Sequence, residues 1–187
     1  MIRVIHGSAL GAGRLALGLA TYVGAIVTAN VMTDRLGLVA VGFGLVATAG
    51  TYAAGLALGA RDVIQDAGGR WAVLAAIAVG GALSWALASP RLALASVAAF
   101  TVAEIADWVV YTPLRTRGWA RAVIASNAVG AVVDTLVFLA LAGFGITAAG
   151  VTGQLVGKVL WATVLPVLVV KGVQRALPRH TVRAESA

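Results

Sequence analysis

Cysteine is absent from the 187 residues, and histidine occurs only as His6 and His180. No disulfide, thiolate metal site or thiol nucleophile is therefore available. A His-ligated metal or a Ser–His hydrolase within the apolar part of the chain is excluded as well. Charge is equally scarce. Asp, Glu, Lys and Arg make up 11% of the residues, against about 25% in a soluble domain. Hydrophobic residues make up 60%, and the mean hydropathy is +0.96. A chain this short cannot hide so much apolar surface in its own core, so the bilayer must serve as its solvent. The formal net charge of +7 does not indicate nucleic acid, because the basic residues lie between apolar runs and form no stripe. No G-x-x-x-x-G-K-[ST] loop occurs, so the chain cannot itself hydrolyse ATP.

What is present is a series of long uncharged runs. A hydrocarbon core of ~30 Å needs about 20 helical residues per crossing. Residues 15–33, 36–60, 71–90 and 92–114 each meet that length. The stretch from 122 to 170 is too long for one crossing and is broken by Gly143, Gly145 and Gly150, giving spans at 122–143 and 147–170. An all-α bundle of six transmembrane helices, forming a single integral membrane domain over residues 1–187, is expected. Arg14 interrupts the N-terminal run and no small-x-small cleavage site follows it, so the first run is expected to be a true span. With the N-terminus inside, Arg3, Arg14, Arg61, Arg70, Arg115, Arg117, Arg121, Lys171, Arg175, Arg179 and Arg183 all face the cytoplasm. Only Arg35 and Arg91 remain outside, so both termini are expected to be cytoplasmic. Trp71, Trp119 and Tyr111 fall near the expected interfaces, as aromatic-belt residues do.

Charges inside these spans are the exception. A charged side chain at the bilayer centre costs roughly 2.5–3.5 kcal/mol on insertion scales, and such groups face protein or a watery cavity. At about 100° per residue, Glu104, Asp107 and Tyr111 share one helix face. Asn127 and Asp134 share another, with Gly130 and Phe138 on the same stripe, and Gln154 and Lys158 share a third. Plainer roles exist for each. Asp107 could be solvated at the membrane edge, Asp134 and Lys158 could form a structural ion pair, Asn127 and Gln154 could be interhelical glue, and Asn30 could be a cap. Glu104 has no obvious neutralising partner in the sequence. Gly44, Thr48, Thr51 and Gly55, at three- and four-residue steps, suggest a small face for close helix packing.

The spacing resembles a known family. Thr48-Ala49-Gly50-Thr51 running into Asp62-Val63-Ile64 and Gly69 is similar to its second helix. Ala95-Ser96, Ala99-Phe100, Glu104 and Asp107 resemble the fourth. Ser126-Asn127, Asp134-Thr135 and Phe138, then Ala142 and Gly145, resemble the fifth, and Gln154, Lys158 and Pro166 the sixth. The family is the queuosine precursor transporters, also called putative vitamin uptake transporters. The likeness runs from about Asn30 to Pro166 and departs from the family pattern at Arg35, where a Lys is expected, and at Gln65-Asp66.

The resemblance implies a non-enzymatic, multi-pass protein of the cell's inner membrane that imports 7-cyano- or 7-aminomethyl-7-deazaguanine without a cofactor or metal. The expected partners are a small purine-like solute and the lipid bilayer, with a homodimer left open. The expected substrate-binding residues are Glu104, Asp107, Asn127, Asp134, Lys158, Asn30, Tyr111 and Phe138. Glu104 or Asp134 would read the amidine edge of the base as a carboxylate reads an Arg fork. Asn127 or Lys158 would meet O6, and Phe138, Trp108 or Tyr111 would stack on the ring. Proton coupling through Glu104 and facilitated diffusion with metabolic trapping both remain open. Rival readings are the substrate-binding subunit of an energy-coupling-factor vitamin importer and a non-transporting structural membrane protein. A CDP-alcohol phosphotransferase is rejected, because no acid follows Asp66 before Glu104 to complete a two-metal site.

Overall fold

The computed structural model describes residues 2–164 and 168–169. Helix α1 (Ile2–Leu36) leads into a hairpin of β1 (Leu38–Gly42) and β2 (Leu45–Thr48). Helices α2 (Thr51–Leu87), α3 (Pro90–Arg115), α4 (Trp119–Ala142) and α5 (Ala148–Leu155) follow, and α5 continues as a π-helical stretch, Val156–Val164. Local chemistry sets several of these boundaries. Pro90 occupies the first turn of α3, where its missing N–H costs nothing. Gly143 ends α4 in the left-handed conformation at φ 85°. The Thr147 hydroxyl caps α5 by accepting from the Gly150 N–H at 3.1 Å.

Among the described residues, four helices are long and apolar enough to cross a membrane: Gly11–Leu36, Thr51–Leu87, Pro90–Arg115 and Trp119–Ala142. The expectation of six spans is corrected by this, and the causes are local. The expected second span, 36–60, opens with Gly37, Gly42 and Gly44 at φ 62°, 93° and 71°, left-handed values that no α-helix accommodates. Its Val-rich stretches instead pair antiparallel, Val39 opposite Ala47 and Ala40 opposite Val46, with a bulge before Gly42. Helix therefore begins only at Thr51 and runs on through most of the charged segment 61–70 expected to be a loop, breaking within it only at Gly69. Arg61 and Asp62 are buried on α2, not exposed as loop charges. The expected sixth span starts as α5 and is interrupted by the π-helical stretch. Pro166 and the basic residues from Lys171 onward lie outside the described residues.

Helix α2 departs from helical geometry at Gly69 alone, with φ 74° and ψ 177°. Contacts with α1 reveal what this does. Before the break, Gly50 lies against Ala29 and Ile64 against Gly18. Gly68, the last residue before it, lies against Leu15; after it, Gly80 lies against Ile26 and Ser84 is bonded to Asn30 at 3.1 Å. The first limb of α2 thus runs antiparallel to α1 and the second parallel to it. The helix doubles back at Gly69. Tyr22, Ile26, Ile64, Val73, Ile77 and Phe100 fill the resulting core, with Tyr22 edge-on to Phe100 at 6.2 Å. Helices α3 and α4 form an antiparallel pair, packed through Leu92, Ala99 and Phe138 towards one end and Tyr111 and Val123 towards the other.

The surface is apolar and the interior is charged. Leu17, Trp71 and Val109 are 71%, 70% and 73% exposed, whereas Asp107, Asn127, Asp134 and Lys158 are buried. That inversion suits a solvent of lipid, and the chain is a multi-pass membrane protein. Trp71 and Trp119 remain exposed, but Tyr111 is buried and is no belt residue.

The hairpin packs against the bundle through Val41, Ala47 and Thr48, which are buried, and leaves Leu38, Phe43 and Val46 exposed. Phe43 stacks on Trp161 at 6.3 Å, and the Trp161 indole N–H donates to the Val41 carbonyl at 3.2 Å. Pairing of the two strands satisfies the backbone groups that non-helical structure in a membrane protein must otherwise bury in protein. A Cβ at Gly153 would overlap the Val46 carbonyl, whereas one at Gly59 would meet nothing within 4 Å. Gly153→Ala should therefore cost about 1–3 kcal/mol of stability, as overpacking typically does. Gly59→Ala should be neutral or slightly stabilising, and thermal unfolding of the detergent-solubilised variants checks both.

Candidate functional site

Two polar constellations lie inside the bundle. The first surrounds a small cavity with about 20 Å³ of free volume, room for about one water. Helix α1 supplies Asn30 and Thr33, β2 supplies Thr48, and α2 supplies Thr51. Helix α3 adds Ser96 and Phe100, α4 adds Asp134 and Phe138, and the last helix adds Gln154 and Lys158. Asp134 and Lys158 pair at 2.6 Å through Asp134 Oδ2, and Lys158 Nζ also donates to the Thr135 hydroxyl at 3.0 Å. The Asn30 amide donates to the Ile26 carbonyl and the Ser84 hydroxyl, and its oxygen accepts from Ser96 at 2.7 Å. Gln154 donates to the Thr48 hydroxyl at 3.4 Å, while its buried Oε1 meets no hydrogen-bond partner among the described residues. Six elements therefore bring polar side chains to one small space that two phenyl rings also line. Polar side chains and aromatic rings are the kinds of group that meet the edge and faces of a flat heterocycle.

The second constellation centres on Arg61, 2% exposed. Its Nη2 lies 2.8 Å from Asp62 and donates to the Asn127 carbonyl at 3.0 Å. Its Nη1 lies 3.3 Å from Glu104 and contacts Asp107 directly. The Trp108 indole N–H donates to the other Glu104 oxygen, and Arg70 stacks over Trp108 at 5.8 Å. Further along α3, Asp66 of α2 accepts from the Tyr111 hydroxyl at 3.2 Å and pairs with Arg115 at 3.3 Å. Among the described residues no group of three His, Asp or Glu side chains is arranged to hold a metal ion.

The eight residues singled out in the sequence are thus divided. Asn30, Asp134, Phe138 and Lys158 line the cavity. Glu104, Asp107 and Asn127 gather around Arg61, so Glu104 does have a neutralising partner, supplied by α2. Tyr111 joins neither group and bonds Asp66. The structural ion pair considered for Asp134 and Lys158 exists, and it lies in the cavity wall. Sequence reasoning missed Arg61, Ser96, Phe100 and Gln154 as site components. Arg61 could have been found. The three glycines at 37, 42 and 44 forbid helix before about residue 50, which places Arg61 well inside a helix rather than at its end.

A family model described as putative vitamin uptake transporter matches residues 17–173. The chain belongs to that family. The match covers every element that contributes to the cavity and to the Arg61 cluster, and the family's activity is transport rather than catalysis. No curated protein and no solved structure shows significant similarity to the chain.

Removing Arg61 would leave three carboxylates buried without their shared cation. Breaking a buried ion pair from one side typically costs about 3–5 kcal/mol. Arg61→Met should therefore lose about that much stability. Arg61→Lys should recover only part of it, because an ammonium cannot span carboxylates on both Nη positions. Unfolding midpoints and yields of folded protein in detergent measure the difference.

Proposed function

We propose that the protein imports a queuosine precursor, a 7-deazaguanine base such as 7-cyano- or 7-aminomethyl-7-deazaguanine, across the inner membrane, and that Asp134 reads its amidine edge. The carrying observation is the position of Asp134 in the wall of a small interior cavity that Phe100 and Phe138 also line, and that would widen as the helices part to admit a base. A deazaguanine presents N1–H and an exocyclic amine as parallel donors, which one carboxylate accepts together. Asp134 uses Oδ2 for Lys158, and a carboxylate has further lone pairs for this second task. Lys158 is a donor of suitable charge for the O6 carbonyl. The Gln154 Oε1 supplies an acceptor for a further ring N–H, and the phenyl rings supply stacking faces. Glu104, Asp107 and Asn127 are not assigned to the base, since the cavity wall does not include them.

Asp134→Asn should weaken uptake and binding of the labelled base by about ten- to a hundred-fold, the worth of a hydrogen bond to a charged group. Phe138→Ala should weaken it less, through lost stacking. Cells unable to make the base, complemented with each variant, provide the measurement. Undiminished uptake by Asp134→Asn would end the proposal.

A further inference from the structure

The Arg61 cluster has no place in reading the base, yet the chain commits three buried carboxylates to it. Asp62, Glu104 and Asp107 are 4%, 3% and 0% exposed. With one guanidinium among them, the full ionic count is minus two. Uncompensated charges at such burial are expensive, and in practice the group is neutralised. The neighbours do not supply the missing charge. Tyr22 of α1 is neutral. Asp134 and Lys158 cancel each other, and so do Asp66 and Arg115. Arg70 faces the ring of Trp108 instead of a carboxylate of the cluster.

Hydrogen bonding gives an independent indication. Asn127 is completely buried and its carbonyl is fixed on Arg61, yet its amide nitrogen meets no partner among the described residues. Arg61 Nε is likewise without one, and the oxygens of Asp62 and Asp107 accept no hydrogen bond of good geometry, although Asp62 Oδ1 and Asp107 Oδ2 are ion-paired with Arg61. Unmet donors and acceptors side by side fit a group that can accept from one and donate to the other. A protonated carboxyl can do this, its carbonyl oxygen accepting from one neighbour while its O–H donates to an adjacent carboxylate, whereas a carboxylate can only accept. A metal cation is poorly suited, because the guanidinium already occupies the focus of the carboxylates and no three acids are arranged to ligate one.

The cluster also stands in a telling relation to the cavity. Ala54 and Arg61 on α2, and Asn127 and Asp134 on α4, are seven residues apart, and Phe100 and Glu104 on α3 are four. At 1.5 Å per residue these are offsets of roughly 6–10 Å along three helices, with both members of each pair on one face. The ionic layer therefore lies one to two turns from the cavity, on the same three helices.

Resting on the transport reading, we propose that the Arg61–Glu104–Asp107–Asp62 cluster is the proton-binding site of a proton-coupled importer. Water on one side of the membrane delivers a proton to the Glu104–Asp107 pair, which becomes one neutral carboxyl and one carboxylate held by Arg61. The proton leaves to the other side when the helices carrying both sites rearrange. No covalent bond other than O–H is made or broken, and the proton gradient supplies the energy.

Two measurements on the full chain test this. Infrared spectroscopy of the purified protein at neutral pH should show the carbonyl stretch of a protonated carboxyl, lost in Glu104→Gln and in Asp107→Asn. In liposomes, an imposed pH gradient should drive accumulation of labelled 7-aminomethyl-7-deazaguanine, and an uncoupler should abolish it. Either variant should lower the accumulation ratio to that of passive equilibration. Absence of the carboxyl band, or accumulation indifferent to the gradient in the wild type, would overturn the proposal. If the wild type fails to bind the labelled base, the substrate reading falls, while the infrared band still decides whether the cluster holds a proton. Circular dichroism of both variants distinguishes lost coupling from lost folding, and the single conservative changes at two positions guard against either variant misfolding.

Discussion

The buried guanidinium of Arg61 is the interaction on which the rest of the interior depends. It contacts acids of α2 and α3 and an amide of α4, so three helices share one positive charge. In a lipid-solvated protein no hydrophobic force draws helices together, and packing and polar contacts must do so. A fork with two Nη groups suits this role, because it can engage separate helices at once. The second limb of α2 is tied in differently, by the reversal at Gly69 and by small residues that let it rest against α1.

With that layer in place, the cavity can be enclosed by unlike pieces. The β-hairpin covers part of it and contributes Thr48, and the last helix contributes Gln154 and Lys158. Gly153 and Gly157 allow the hairpin and α2 to approach this helix more closely than any side chain would permit. The passage from α5 into a π-helical stretch falls between Gln154 and Lys158. Such irregularities are frequent at functional sites. Here the irregular turn separates the residue that bonds Thr48 from the residue that bonds Asp134.

The division of the acids has a functional consequence. A single cavity containing Glu104, Asp107 and Asp134 would mix recognition of a solute with any response to protons. Two layers on the same helices would, on the proposed reading, separate those tasks while leaving them linked through shared helices. Membership of a vitamin uptake transporter family accords with such an arrangement, and the neutral Asp134–Lys158 pair avoids adding net charge to the space proposed for the base.

Much of this was legible in the chain. The apolar excess determined a membrane location, and the helical spacing of Glu104 with Asp107, Asn127 with Asp134, and Gln154 with Lys158 correctly identified inward faces, because side-chain direction follows from helix geometry alone. The same periodic logic failed at 36–60, where apolar content looked like a span but left-handed glycines imposed a hairpin. It failed again at Arg61 and Asp62, where charge looked like a loop but was buried and paired inside the bundle. Which acid meets which base was beyond sequence, since Arg61 and Glu104 are 43 positions apart and only the folding of α2 against α3 brings them together. The residues determined what had to be hidden from lipid; the tertiary structure decided which charges were hidden with one another, because pairing depends on distances that no local pattern encodes.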